Sequence, residues 1–115
     1  MSATRHQRNR MLATLAGCYL SLHTADGGET GANELSGAGY ARQPAPLGAA
    51  VDGRLATIAE VSFSDLPAAA VTHYGAWSDA RGGSFLWPVA LATPRTVARG
   101  DGLTFPPDSI AFLAA

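Results

Sequence analysis

Alternating apolar and polar side chains predict a β-strand near the start of the chain. The segment CYLSLH places its apolar residues on one side of an extended backbone, namely Cys18, Leu20 and Leu22. Its other residues point to the opposite side, namely Tyr19, Ser21 and His23. A period of two is typical of a strand with one buried face. We therefore expect Cys18 to be a buried side chain at the start of the first strand.

The residues before this strand follow a helical pattern instead. Met11, Leu12 and Leu15 form one apolar stripe at helical spacing, and Gly17 is a suitable helix stop. The pattern predicts a short basic α-helix over residues 1–17, which precedes a single β domain over residues 18–115.

Two more strands are predicted after the polar, glycine-rich loop of residues 24–39. Residues 40–43 can form a short strand that ends at Pro44, because proline cannot donate to a sheet. Residues 55–63 also alternate. Their apolar face would carry Leu55, Ala59, Val61 and Phe63.

The clearest supersecondary pattern is a β-hairpin. Two aromatic-rich runs, residues 71–77 and 84–90, are joined by SDARGG, whose two glycines can adopt positive φ. Residues 103–105 and 110–113 are the last predicted strands. Six or seven short strands around one core indicate a mainly β fold. We predict a single antiparallel β-sandwich, of which a jelly-roll-like arrangement is one form.

Composition limits the classes of function. The chain has 115 residues, of which 47% are hydrophobic and only 15% charged, and its net charge is -1. That charge is too small to predict binding to nucleic acid or to an acidic membrane surface. Because a soluble monomer usually carries more charged surface, we expect partner proteins to cover part of this one. No apolar run approaches the roughly 18 residues that span a bilayer.

The side chains that carry chemistry are few and scattered. None of the three histidines has a neighbour at a recognised ligand spacing. A metal site built from His23, Asp26 and His73 stays open as an alternative. A nucleophilic Cys18 would need exposure and an activating base, which its place on the buried face of the strand disfavours. We predict no catalytic residue, no metal and no cofactor.

The sequence LAGC at residues 15–18 raises the alternative of a bacterial lipoprotein anchored through Cys18. Arg5, Arg8 and Arg10 precede a short apolar run, as they would in a secretory signal. That run is at the lower limit of length for a signal. The residues after Cys18 alternate as in a strand and do not form a polar spacer. The buried interpretation is therefore favoured, and the lipoprotein is a remote alternative.

Aromatic side chains around the hairpin allow a further alternative. If exposed, Tyr74, Trp77 and Trp87 would form a platform on which sugar rings stack, so they are candidate glycan-facing residues. If buried, they belong to the core, which is the favoured interpretation. Strict alternation places Trp77 on the face of His73 and Phe85 on the face of Trp87. The hairpin register, which decides whether these pairs share a face, is not fixed by the sequence.

Several motifs occur in one order between Leu20 and Ile110. They are LSLHTADGG, ELSGAGYARQ, VTHYGAWSDARGG, LWPVALATPRTV and GDGLTF. Together they resemble the short fibre-type structural proteins of tailed bacteriophages and gene transfer agents, which are described as tail-fibre or head-fibre proteins. The N-terminal segment and residues 44–54 depart from that pattern. The resemblance implies a virion structural protein without enzyme activity. It would be located in a virion or phage-like particle that is assembled in the bacterial cytoplasm.

The resemblance and the low charge lead us to expect an oligomeric base or adaptor module of a head spike or fibre attached to the capsid. The alternative is a tail-associated fibre or a lectin-like module that binds host polysaccharide. Expected partners are further copies of the chain in a ring or trimer (a pentamer at a capsid vertex), capsid or tail proteins and a fibre protein. We expect no nucleic acid and no membrane as partners. The candidate partner interface consists of Arg5, Arg8, Arg10, Glu29, Asn33 and Glu34.

Overall fold

A computed structural model describes Leu15 and residues 17–49 and 53–113 of the 115-residue chain. The predicted N-terminal helix, with Arg5, Arg8 and Arg10, lies outside these residues apart from Leu15 and Gly17. The described part contains eight β-strands and no helix. The strands are β1 Tyr19–His23, β2 Gln43–Pro44, β3 Arg54–Ala56, β4 Val61–Phe63, β5 Ala69–Trp77, β6 Phe85–Val97, β7 Leu103–Phe105 and β8 Ala111–Leu113.

The strands form one large sheet and two small ribbons. The large sheet has four strands in the order β2-β1-β5-β6, and the ribbons pair β3 with β8 and β4 with β7. Every pairing is antiparallel. The prediction of a mainly β, antiparallel fold is therefore confirmed.

The predicted hairpin is present as β5 and β6. Its turn is closed by a hydrogen bond of 2.9 Å from the backbone N–H of Ser78 to the carbonyl oxygen of Ser84. Gly82 and Gly83 supply the positive φ values of 61° and 75° that this turn requires. β6 runs further than predicted, to Val97, and it contains two prolines. They are tolerated because β6 is the outermost strand of the sheet.

The prediction of one strand over residues 55–63 is wrong. The segment forms two strands, β3 and β4, which belong to different ribbons. Backbone hydrogen bonds divide it, because the N–H of Thr57 donates to Ile110 at 2.9 Å and that of Ile58 donates to Pro46 at 2.7 Å. Ala59, which alternation placed inside, is consequently exposed. The strand expected at residues 40–43 is also displaced, since only Gln43 and Pro44 pair with β1.

The hydrophobic core lies between one face of the large sheet and the two ribbons. Phe112 of β8 is fully buried, and its ring contacts those of Tyr74 and Trp87 at centroid distances of 5.7 and 6.2 Å. The hydroxyl of Tyr74 donates to the carbonyl oxygen of Ala111, which fastens β8 to the sheet. Cys18 is 2% exposed within this core, as its strand pattern predicted.

The opposite face of β1 is buried as well. Ser21 and His23 are 0% and 1% exposed, although alternation assigned them to the polar side of the strand. The glycine-rich segment of residues 24–42 folds back over this face, as close contacts of Gly31 with Trp77 show. We call this face, together with the segment that covers it, the covered face.

Candidate functional site

The covered face is built on three aromatic or ring side chains from β1, β5 and β6. The rings of Trp77 and Phe85 meet edge to face at 5.0 Å, and that of His23 lies 5.5 Å from Phe85. This arrangement contradicts the expectation that Phe85 shares a face with Trp87. Trp77 pairs with Phe85 and Ala76 pairs with Trp87, so the register skips Leu86. The bulge reverses the alternation and turns Phe85 toward Trp77.

Glycines allow the loop to approach these rings. A Cβ atom at Gly31 would overlap the indole ring of Trp77, and one at Gly27 would lie 2.9 Å from the ring of Phe85. Gly31 also has a φ of 76°, which side chains rarely adopt. The loop therefore needs glycine at residue 31 both for its backbone conformation and for its packing.

Arg42 closes the covered face. Its guanidinium makes a two-point ion pair with Glu34, in which Nε and Nη2 each lie 2.9 Å from a carboxylate oxygen. Nη1 donates to the carbonyl oxygens of Asp79 and Gly82 at 3.0 and 2.9 Å. The carbon centre of the guanidinium lies 3.7 Å from the ring centroid of Trp77. Arg42 thus ties the loop to the hairpin tip while it stacks on the indole.

Tyr40 extends this network to β1. Its hydroxyl donates to Glu34 at 2.7 Å and accepts the backbone N–H of Leu22 at 3.1 Å. Burial raises the pKa of Tyr40 above its usual range, so the hydroxyl stays protonated. Glu34 therefore accepts bonds from two directions and is held in place by the chain itself.

A second chain of hydrogen bonds runs beneath the loop. The indole N–H of Trp77 donates to Ser21 Oγ at 3.0 Å, and Ser21 Oγ lies 2.7 Å from His23 Nε2. His23 Nδ1 lies 2.8 Å from the carbonyl oxygen of Ala32. Ser21 and His23 resemble the serine and base of a hydrolase, but Ser21 is 0% exposed and no substrate reaches it in this state.

The residues proposed for a metal site are engaged separately. His73 Nδ1 bonds the hydroxyl of Thr72 at 2.8 Å, His23 bonds Ser21 and Ala32, and Asp26 accepts the N–H of Gly28 at 2.9 Å. Among the described residues, no group of three or more His, Cys, Asp or Glu side chains is placed to hold a metal ion. Burial raises the pKa of Cys18 to about 11, so its thiol is neutral at physiological pH.

Of the predicted interface residues, the structure describes Glu29, Asn33 and Glu34. Glu29 and Asn33 are exposed on the loop, where the side chain of Asn33 donates to the carbonyl oxygen of Asp26 at 3.2 Å. Glu34 is instead occupied by Tyr40 and Arg42. The assignment of these residues to a partner contact stays a prediction.

The three candidate glycan-facing rings lie on two faces of the sheet. Tyr74 and Trp87 pack on Phe112 in the core, while Trp77 lies on the covered face beneath Arg42. Trp77 is only 9% exposed and Tyr74 5%. A shared stacking platform would therefore need a rearrangement of the loop and of the ribbons.

Sequence reasoning missed the role of Arg42. Its partners Glu34, Trp77 and Gly82 come from three separate segments, so no local pattern marks them. The available signal was the length of the glycine-rich loop, since a long loop in a small domain usually covers or binds something.

Comparison of the sequence with known protein families identifies the family of this chain. Residues 5–112 match the family model described as podophage GP4 fiber I protein gp80. The chain belongs to this family of phage fibre proteins. The match spans nearly the whole chain and confirms the resemblance to tailed-phage fibre-type structural proteins. No curated protein matches the chain.

Membership of a phage fibre family gives the chain a structural, virion-associated role. Among the described residues, no helix has the length and apolar character needed to cross a membrane. The contacts of the covered face hold the glycine-rich loop on a small β module.

Proposed function

We propose that this fibre protein is a self-associating base or adaptor module of a virion spike or fibre, seated on the capsid. The observation that carries the proposal is the free edge of the large sheet. β6 is 13 residues long and is the outermost strand, and among the described residues it pairs with β5 alone. A long open edge of this kind is a template for pairing with another chain.

The prolines of β6 define where a partner strand would pair. Pro88 and Pro94 each lack the N–H that a ladder needs, whereas residues 89–93 retain theirs, although β6 bulges away from β5 after Ala90. Val89 and Leu91 in this stretch are half-buried and add apolar contact. A second copy could add a strand to residues 89–93 through a different edge of its own fold. Repetition of this contact would generate a ring, such as a trimer, or a pentamer at a capsid vertex.

Two other features support assembly. Ile58 and Leu113 are 69% and 66% exposed, which is unusual for large apolar side chains on a chain with so few charges. Contact with capsid or tail proteins and with a fibre protein would cover such positions. The same role would suit a particle of the gene transfer agent type.

The test is the oligomeric state of the purified chain and of edge variants. Light scattering should give a mass of at least three times the 11.8 kDa of one chain. The double variant Ala90→Lys and Ala92→Lys places charges on the edge and should be monomeric with an unchanged melting temperature. Ala80→Lys is the matched control, because Ala80 is exposed at the hairpin tip, away from the edge.

Reconstruction of a purified particle tests the location. The proposal expects symmetric copies at the base of a spike or fibre on the capsid. It is wrong if the chain is a monomer both in solution and in the particle, or if the double variant associates as the wild type does. A position at a fibre tip, with binding to a glycan array, would support the lectin-like alternative.

A further inference from the structure

The hydrogen bonds of His23 define its protonation state. The carbonyl oxygen of Ala32 can only accept, so Nδ1 of His23 carries the ring proton. The indole N–H of Trp77 can only donate, so Ser21 Oγ accepts it and directs its own hydrogen to Nε2 of His23. Nε2 is therefore unprotonated, and the whole chain of bonds requires a neutral imidazole.

A second proton on His23 would break this chain. Nε2–H and the indole N–H would both point at Ser21 Oγ, and the hydroxyl hydrogen would lose its acceptor in a site that is 0% exposed. The new charge would also be buried under the loop, where the ring bonds to the carbonyl oxygen of Ala32 and to Ser21 Oγ. Removal of a charge from water without a full set of partners is costly.

The charged and titratable groups around His23 do not offset that cost. Glu34 on the loop favours the cation, whereas His73 on β5 and Arg42 over the face oppose it. Glu34 is already engaged by the two bonds from Arg42 and the one from Tyr40. Burial remains the largest influence and lowers the pKa of His23 below 6.5.

We propose that protonation of His23 releases the loop of residues 24–34 from the covered face and exposes the rings of Trp77 and Phe85. The loop is the element that moves because it is the cover that excludes water from the imidazole. Its backbone is attached to β1 by the bond from the N–H of Leu35 to the carbonyl oxygen of Leu22 at 2.9 Å and by a bridge between His23 and Glu34, while the bond from Thr24 to Asn33 at 3.0 Å closes the loop on itself. The ion pair of Glu34 with Arg42 must also separate when the loop leaves. Acid would thus convert a closed module into one that presents an aromatic surface.

The direction of the pH effect follows from linkage. Because the pKa of His23 is lower in the closed form than the ordinary value of 6.5, the open form binds the proton more tightly. The closed form is fully stable above that ordinary value. It loses stability as the pH falls below 6.5 toward the lowered pKa, and it loses nothing more below that pKa.

Hydrogen exchange of the full-length protein tests the proposal. Protection factors, which remove the intrinsic pH dependence of exchange, should fall severalfold between pH 7.5 and pH 5 for the hydrogen-bonded amides of Gly31, Ala32 and Leu35. Amides of β5 in the core should change much less. Fluorescence of Trp77 should shift to the red over the same interval, with Trp87→Phe used to isolate that signal.

Two variants test whether His23 causes the pH-dependent opening of the loop. His23→Gln stays neutral at every pH and should make loop protection independent of pH, while His73→Gln should leave the change in place. If His23→Gln does not fold, the imidazole of His23 can be titrated by NMR in the wild type. Its midpoint must then coincide with that of loop opening. Equal protection at both pH values, separate midpoints, or loss of the effect in His73→Gln would each overturn the proposal.

Discussion

Arg42 combines three kinds of contact in one side chain, and lysine cannot reproduce all of them. The planar guanidinium pairs with both oxygens of Glu34, donates to two carbonyls of the hairpin tip and stacks on Trp77. An ammonium group is a point charge without this geometry. The stability of the covered face therefore depends on the identity of residue 42 and not only on its charge.

We predict that Arg42→Lys lowers the free energy of unfolding by about 1–3 kcal/mol, because it removes several charged hydrogen bonds from a largely buried position. Urea denaturation measures the change. Arg81→Lys is the control, since Arg81 is exposed on the hairpin tip, and it should change stability by less than about 0.5 kcal/mol. Equal effects of the two variants would show that the contacts of Arg42 add no stability.

Cys18 provides a test of burial at a single position. Its thiol is 2% exposed and burial raises its pKa to about 11, so it should react with iodoacetamide at pH 8 only after unfolding in urea. Cys18→Ser should cost about 1–3 kcal/mol, because the hydroxyl enters an apolar core. Cys18→Ala, which adds no polar group, is the matched variant. Rapid labelling of the native protein would contradict the core assignment, and a membrane-bound wild type released by Cys18→Ser would favour the lipoprotein.

At the scale of elements, the glycine-rich loop is as much a part of the fold as the strands. It buries the second face of β1 and is held there by close packing against Trp77 and Phe85. Two glycines of this loop, Gly28 and Gly31, share a positive φ but differ in their surroundings. A Cβ at Gly28 would have nothing within 4 Å, whereas one at Gly31 would overlap the indole ring of Trp77.

This pair separates backbone strain from packing. We predict that Gly28→Ala costs about 1 kcal/mol through its φ alone. Gly31→Ala should cost at least about 1 kcal/mol more and should alter the near-ultraviolet circular dichroism of Trp77, because the loop must move away from the ring. If both variants cost the same and leave that spectrum unchanged, the loop does not pack on the sheet as described.

The elements that could be predicted from the sequence were those with a local signature. The alternation from Cys18 to Leu22 and the turn between β5 and β6 each depend on residues that are neighbours in sequence. Strand β1 and this turn are both present in the structure. The face of Phe85 could not be predicted, because a single skipped residue, Leu86, reverses the alternation. No pattern in one segment reveals where a bulge will form.

Non-local contacts explain the remaining errors. The division of residues 55–63 into two strands is set by hydrogen bonds to Pro46 and Ile110, which are distant in sequence. Likewise, burial of Ser21 and His23 follows from a loop that returns over β1, so their polar character gave the opposite expectation. The ion pair of Glu34 with Arg42 is likewise a contact that no local pattern reveals, and the expected partner contact of Glu34 stays a prediction.

At the scale of the whole molecule, the arginines divide into groups with different tasks. Arg42 and Arg54 are engaged within the chain, by Glu34 and by Asp108, both at 2.9 Å. Arg81, Arg95 and Arg99 are exposed along the hairpin and the turn that follows β6. Arg5, Arg8 and Arg10 lie outside the described residues, in the segment where this sequence is most basic. We propose that this cluster contacts an acidic virion protein, since guanidinium groups bind carboxylates at two points.

We predict that replacing Arg5, Arg8 and Arg10 together by glutamine lowers the amount of the protein in purified particles by at least tenfold without changing its melting temperature. The physical reason is that guanidinium groups bind carboxylates at two points, which an amide does at lower strength. The control replaces Arg81, Arg95 and Arg99 by glutamine, which removes the same charge from elsewhere. Quantitative mass spectrometry against the capsid protein measures incorporation. Equal loss in both variants would indicate a general effect of charge. Normal incorporation of the variant at Arg5, Arg8 and Arg10 would contradict the prediction, and the capsid contact would then be sought on the strands, where β6 has an open edge.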